Sequence, residues 1–354
     1  MSINGQDSEI SDMTCGVPQG SSLGPLLFLI YINDFRFCLS QTETGHFADD
    51  TYILYGSKKL KTIETVMNTE LKRVSIWLQL NRLSLNEGKT ELIFFHSKRN
   101  VPQSSKVSIK LNGKKLTPVD SVKYLGMYID KHLSWDTHIF HLSQKLSRAN
   151  GILSKLRHNA PRKVCLNVYY ALFYPHLIYG CNIWGITTAE NLDKIVKLQK
   201  KWVRIITFSD FDSHANPLFI DLKILKVHDV IKLHQLKLAY EYCNNLIPQD
   251  LRTFFNCNSE VHTSTLTSLN SVQKSCLTIP SIKTVHSGNK SLKFQCASLW
   301  NHFMTKSIPI QAKPKTFEKK VNPNLDMKLI FNINQFIRTV KKHFHYMYTL
   351  LDIQ

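Results

Sequence analysis

The sequence has no CxxC pair, no run of apolar residues long enough to span a bilayer, no signal peptide, no internal repeat and no heptad array. Its eight cysteines, at 15, 38, 165, 181, 243, 257, 276 and 296, show no paired spacing, and Cys243, Cys257 and His262 fit no zinc template. They read as reduced thiols, which places the chain inside the cell, in nucleus or cytoplasm, and away from membranes. Acid is scarce as well, with 26 Asp+Glu against 45 Lys+Arg in 354 residues and a formal net charge of +19. The apolar fraction of 43% excludes a disordered chain, so the excess base belongs to a folded body and points to a polyanionic partner, nucleic acid ahead of a membrane surface. The small amount of acid is also unevenly placed. Residues 1–60 hold 3 basic and 7 acidic residues, whereas 61–354 hold 42 and 19.

The acidic end centres on Gly45-His46-Phe47-Ala48-Asp49-Asp50-Thr51-Tyr52-Ile53-Leu54-Tyr55. Apolar residues lead to and from two adjacent carboxylates, a pattern that predicts a β-hairpin with Asp49 and Asp50 at or beside its turn. Phe47, Ala48, Tyr52, Ile53 and Leu54 are expected to be buried. Neighbouring carboxylates repel, and a divalent cation with a taste for hard oxygen ligands, Mg²⁺ foremost, resolves the repulsion. Upstream, Gly16-Val17-Pro18-Gln19-Gly20-Ser21-Ser22-Leu23-Gly24-Pro25 sets three glycines and two prolines before an apolar run over 26–35. That run predicts a buried helix with Pro25 at its start. The loop lacks the lysine of a P-loop.

These two motifs, about 30 residues apart, resemble the reverse transcriptase of non-LTR (LINE-like) retrotransposons. The resemblance continues through Asn81-Arg82-Leu83-Ser84-Leu85-Asn86-Glu87-Gly88-Lys89-Thr90 and an expected strand over 91–95. It extends to Val122-Lys123-Tyr124-Leu125-Gly126-Met127-Tyr128-Ile129-Asp130, which is similar to the primer-grip hairpin, and to the following 133–139. It implies an α+β fold: a partial right-hand polymerase palm at 1–130, a helical thumb-like region at 131–250, a loop-rich connection at 251–290 and a helical segment at 291–354.

The implied reaction is RNA-directed DNA synthesis. A primer hydroxyl attacks the α-phosphate of a deoxynucleotide triphosphate opposite an RNA template, with two Mg²⁺ ions clamping the reacting oxygens. By resemblance Asp49 and Asp50 are metal ligands, and Lys89 protonates the departing pyrophosphate. Gln19, Gly20, Phe47 and Ala48 contact template and nascent pair, and Tyr124, Leu125 and Gly126 place the primer. The family also uses an aspartate upstream of the glycine-rich loop, which is not read in residues 1–15. The expectation is therefore a fragment that is inactive alone and that associates with a complementing polymerase chain. The alternative is a non-catalytic remnant that grips RNA or an RNA–DNA hybrid.

Periodicity supplies the rest. Leu60, Ile63, Met67, Leu71, Val74 and Trp77 trace one face of a helix. Further on, Ile195, Leu198, Trp202 and Ile205 trace another, with Lys194, Lys197, Lys201 and Arg204 on a separate face suited to a nucleic-acid backbone. Trp184 and Trp202 read as core residues, not base-stacking platforms. A last helix is expected from Met327.

Overall fold

A computed structural model describes residues 2–3, 5–7, 16–17, 20–99, 101, 107–257, 276–281 and 291–304. The expected helix from Met327 and the site residue Gln19 lie outside the described residues. The chain divides into two compact units, at 1–119 and from 120 onward.

Unit one is built on α2 (Leu60–Leu80). Its apolar positions recur at helical spacing and face two small clusters. Met67 and Leu71 pack with Val107, Ile109 and Leu111, while Val74 and Trp77 pack with Ile32 and Phe35. The unit also holds β1 (Ser2–Ile3) and β2 (Gln6–Asp7), α1 (Gly24–Ile32), a 3₁₀ turn at Phe35–Cys38, and three further pieces of sheet. The first of these is the hairpin β3 (Glu43–Phe47) and β4 (Asp50–Leu54), and the second is β5 (Lys110–Leu111) and β6 (Lys114–Lys115). The third is a lone parallel bridge from Leu92 to Pro118, extended by the Val119 amide donating to the Leu92 carbonyl at 2.8 Å. That bridge stands where a strand over 91–95 was expected. Apolar alternation marks a segment fit to be a strand but supplies no partner.

Two expectations of burial fail. The helix over the apolar run starts at Gly24, with Pro25 in its first turn, but Leu26, Leu27, Ile30 and Tyr31 are 40–60% exposed. In the hairpin, Phe47, Tyr52 and Leu54 are exposed and Ile53 alone turns into the clusters. The reason is geometric. A two-stranded ribbon and a short helix each press one face on α2, and the sheets of the described residues are all two-stranded.

A buried carboxylate ties α2 to the segment that leads into β3. Glu70 lies on the buried stripe of α2 with its carboxylate at 0% exposure. It accepts from the Ser40 amide (2.8 Å), the Ser40 hydroxyl (3.2 Å), the Gln41 amide (3.4 Å), the Thr42 hydroxyl (3.2 Å) and the Arg73 guanidinium (2.7 Å). Burial opposes the charge, but the Ser40 and Gln41 amides and the two hydroxyls hold the carboxyl below its ordinary value.

Unit two is mainly helical. It opens with the hairpin β7 (Ser121–Tyr124) and β8 (Met127–Asp130), followed by α3 (Asp136–Leu156), α4 (Arg162–Val168), a π turn at Tyr169–Phe173, α5 (Tyr174–Ile178) and α6 (Cys181–Trp184). Then come α7 (Ala189–Thr207), α8 (Ala215–Asp221), α9 (Val227–Cys243) and α10 (Leu292–Met304). α3 and α7 close on a core in which Ile139, Leu146, Leu153, Tyr169, Phe173, Trp184 and Trp202 are buried at 0% exposure. The two tryptophans are core residues, as expected. A second cluster joins α9 and α10 around Phe255, Cys296 and Trp300. The mixture of helix with small antiparallel sheets agrees with an α+β chain. Among the described residues no helix is long and apolar enough to cross a membrane.

Glu70→Ala should lower the stability of unit one by about 3 kcal/mol in denaturant unfolding, because the Ser40 and Gln41 amides lose their acceptor. Glu70→Gln should cost less. A second prediction concerns His138, which is 7% exposed and whose Nδ1 accepts from the Tyr128 amide at 3.4 Å. Burial, with Lys145 and His141 nearby, pushes it down to about 4. The unfolded chain therefore binds that proton first as pH falls. The contribution to stability is complete above the ordinary imidazole value and declines from about 6.5 toward about 4. His138→Asn should flatten that stretch of the unfolding-versus-pH profile.

Candidate active site

The turn between β3 and β4 holds only Ala48 and Asp49, with Phe47 and Asp50 as the last cross-strand pair. Ala48 sits at φ 53°, a left-handed conformation that costs an ordinary residue of order 1–2 kcal/mol and is usually filled by glycine in two-residue hairpin turns. The tip thus stores strain, and both carboxylates are exposed on it. Gly45 leaves room for the paired Tyr52 ring to lie over it, since a Cβ there would meet that ring at 2.5 Å.

The stem is fixed from behind. The His46 ring stands edge-on to Phe35 with centroids 4.8 Å apart, and Phe35 stands edge-on to Trp77 of α2 at 5.1 Å. His46 Nδ1 pairs with the Thr51 hydroxyl at 2.8 Å, its Nε2 is buried without a partner, and burial lowers its pKa. The hairpin is therefore anchored through His46, Ile53 and the residues held by Glu70, while Asp49 and Asp50 project from the free end. Two hard carboxylates in this position suit Mg²⁺ in donor chemistry but supply only part of a coordination shell. No group of three or more His, Cys, Asp or Glu side chains is placed to hold a metal among the described residues.

The remaining sequence candidates fall on separate elements. Gly20 is an exposed turn residue at φ 86°, just before α1, whose Gly24 amide donates to the Ser21 hydroxyl at 3.0 Å. Lys89 ends an exposed turn in which its amide bonds to Asn86. In unit two, Leu125 and Gly126 form the tight turn after Tyr124, both with positive φ (45° and 78°). The Tyr179 hydroxyl donates to the Leu125 carbonyl and fixes that turn. Below it the Asp130 carboxylate accepts from the amides of His132, Ser134 and Trp135, which orders the next loop.

The basic face of α7 divides by partner. Lys197 and Lys201 are exposed, and Lys194 donates to Asn191 Oδ1 at 3.0 Å. Arg204 is committed to the fold, with both Nε and Nη2 donating to the Ser213 carbonyl at 2.9 and 2.8 Å. The sequence reading missed Glu70 and His46. Glu70 had a signal, because it falls between Met67 and Val74 on the apolar stripe.

With this geometry in place, the comparisons are specific. Residues 1–129 match the family model for reverse transcriptase (RNA-dependent DNA polymerase). The chain is similar to the polymerases of mobile elements. It is 28% identical over 262 residues to the RNA-directed DNA polymerase from mobile element jockey of Drosophila melanogaster, covering 71% of this chain and 28% of that protein. To the probable RNA-directed DNA polymerases from transposon X-element and transposon BS of the same organism it is 27% and 30% identical, with 63% of this chain and 25% of each relative covered. The resemblance to non-LTR retrotransposon reverse transcriptases therefore holds. The chain spans about a quarter of the length of these curated relatives. No solved structure is a significant match.

Replacing Lys197 and Lys201 together by Ala should leave the unfolding transition in place, since both side chains are exposed. The same change should weaken binding to a nucleic-acid duplex and reduce the magnitude of its log–log salt slope by about 2, one unit for each lost phosphate contact.

Proposed function

We propose that this chain is a reverse transcriptase segment of a non-LTR retrotransposon that supplies part of a two-metal site and a nucleic-acid grip. The observation that carries the reading is the strained Ala48-Asp49 turn, exposed on an anchored hairpin inside the stretch that matches the reverse transcriptase family. In this reading unit one is palm and the helices of unit two are thumb-like.

Asp49 and Asp50 hold Mg²⁺, whose chemistry is to activate the primer hydroxyl and neutralise the leaving pyrophosphate. Asp49, in the turn, is the main ligand and Asp50 supports it. Phe47 and Ala48 form the floor under the primer end, and Gln19 and Gly20 face the template base. Lys89 carries the proton for pyrophosphate. Tyr124, Leu125 and Gly126 hold the primer strand, and Lys194, Lys197 and Lys201 track the backbone of an RNA–DNA hybrid. Arg204 supports this face indirectly, by holding the loop at Ser213. Deoxynucleotide triphosphates, an RNA template and a DNA primer are the substrates.

Two carboxylates on one turn bind one cation weakly and do not bridge two ions about 3.5–4 Å apart. A further carboxylate completes the site, and the exposed apolar face of α1 is a surface for a covering partner. A second reading, retention of RNA or hybrid without synthesis, is favoured by the exposed lysines of α7.

Primer extension on poly(rA)·oligo(dT) with Mg²⁺, wild type against Asp49→Ala, tests this. The expected result is no extension by either protein, with salt-sensitive retention of the substrate by both. Extension by the wild type that is lost in Asp49→Ala would overturn the incomplete-site account and make the chain an enzyme by itself. Failure to retain the substrate would overturn the nucleic-acid grip.

A further inference from the structure

The C-terminal end of α7 carries a strained residue and two exposed aromatic rings. Phe208 occupies the position just past the helix, at φ 56° and ψ 26°. Its amide donates to the Ile205 carbonyl at 3.4 Å and the Ser209 amide to the Arg204 carbonyl at 3.1 Å. This is the helix stop that glycine normally fills, because a side chain there forces the strained left-handed conformation. The Phe208 ring is nevertheless 53% exposed, and Phe211, three residues on, is 83% exposed. Strain and solvent exposure of large rings both oppose stability, and neither ring belongs to a hydrophobic cluster of the unit.

Both rings are instead matched with guanidinium groups. Arg157, at the end of α3, lies 4.8 Å from the Phe208 centroid, and the His158 ring meets Phe208 edge-on at 6.2 Å. Arg204 lies 5.9 Å from the Phe211 centroid and is itself locked by the Ser213 carbonyl. Each phenyl is thus positioned by a cation while much of its surface stays open.

We propose that Phe208 and Phe211 form a stacking platform for unpaired bases of a single-stranded nucleic acid. The inference rests on the nucleic-acid reading above and adds to it a site and a substrate form. Bases have a π-face whatever their identity, so two exposed rings backed by guanidinium groups accept a strand with little sequence preference. Asp210 and Asp212 flank Phe211 and disfavour phosphate at its immediate side. Recognition here is therefore by stacking, with the strand backbone running toward Arg157 and the lysines of α7. The platform follows directly on α7, whose exposed Lys197 and Lys201 precede it, so a strand can pass from backbone contact on the helix to base contact at its end.

The test is binding of the full chain to a fluorescein-labelled oligo(dT) or oligo(rU), compared with a blunt duplex, for wild type, Phe208→Gly and Phe208→Gly with Phe211→Ala. Phe208→Gly relieves the strained helix stop, so its unfolding midpoint should be equal to or above that of wild type. The expected result is single-strand affinity reduced about tenfold or more in the double variant, with duplex affinity and the salt slope unchanged. Unaltered single-strand affinity in a wild type that binds would overturn the platform alone. Equal loss for single strand and duplex with a shallower salt slope would also overturn it, by assigning the patch to charge. A wild type that binds neither probe would instead overturn the nucleic-acid reading on which the platform rests.

Discussion

Unit one depends on a single buried carboxylate. Glu70 sits on α2 at full burial and gathers amides and hydroxyls from Ser40, Gln41 and Thr42, the three residues that lead directly into β3. A two-stranded ribbon has little stability of its own, so its place is set by what it is tied to. Here the ties are the Glu70 hydrogen bonds at its start, the His46–Phe35–Trp77 ring contacts along its length and Ile53 packed against the α2 clusters. All three end on the same helix. The carboxylate turn is thereby presented by a stem anchored at one side, with its tip free for a cation. Glu70 is charged, and because each of its contacts is a hydrogen bond from a defined donor, it fixes the position of that stem where an apolar residue would only fill space.

Both units leave large apolar side chains in water, in unit two Phe140, Phe208, Phe211 and Ile220 among them. Unit two closes on itself around Tyr169, Trp184 and Trp202, and its charge is left on helix surfaces. Unit one leaves Leu26, Leu27 and Ile30 of α1 and Phe47, Tyr52 and Leu54 of the hairpin in water. A helix that is apolar all round reads as covered on all sides.

Much of this could be read from the sequence because the relevant signals are local. The carboxylates at a hairpin turn followed from Phe47-Ala48-Asp49-Asp50, the buried stripe of α2 from its spacing, and core Trp202 from the apolar face that carries it. What could not be read depends on partners distant in sequence. Apolar residues over 26–35 gave a helix but not the surface to cover it, and the residues over 91–95 gave a strand-like pattern that found one bridge. Basic spacing along α7 gave a face but could not distinguish Lys197, which is open, from Arg204, which is bonded to the Ser213 carbonyl. Glu70 was visible in principle, as a carboxylate on an apolar stripe. Phe208 was not, since nothing local announces a phenylalanine in the place of a helix-ending glycine.

The central claim is that the Asp49-Asp50 turn is a cation site. Titration of the full chain with Mn²⁺, followed by water-proton relaxation and reversed by Mg²⁺, tests it most directly. The account predicts weak, Mg²⁺-competed enhancement in the wild type that disappears in the Asp49→Ala, Asp50→Ala double variant, with unfolding unchanged. Equal enhancement in both proteins would contradict it.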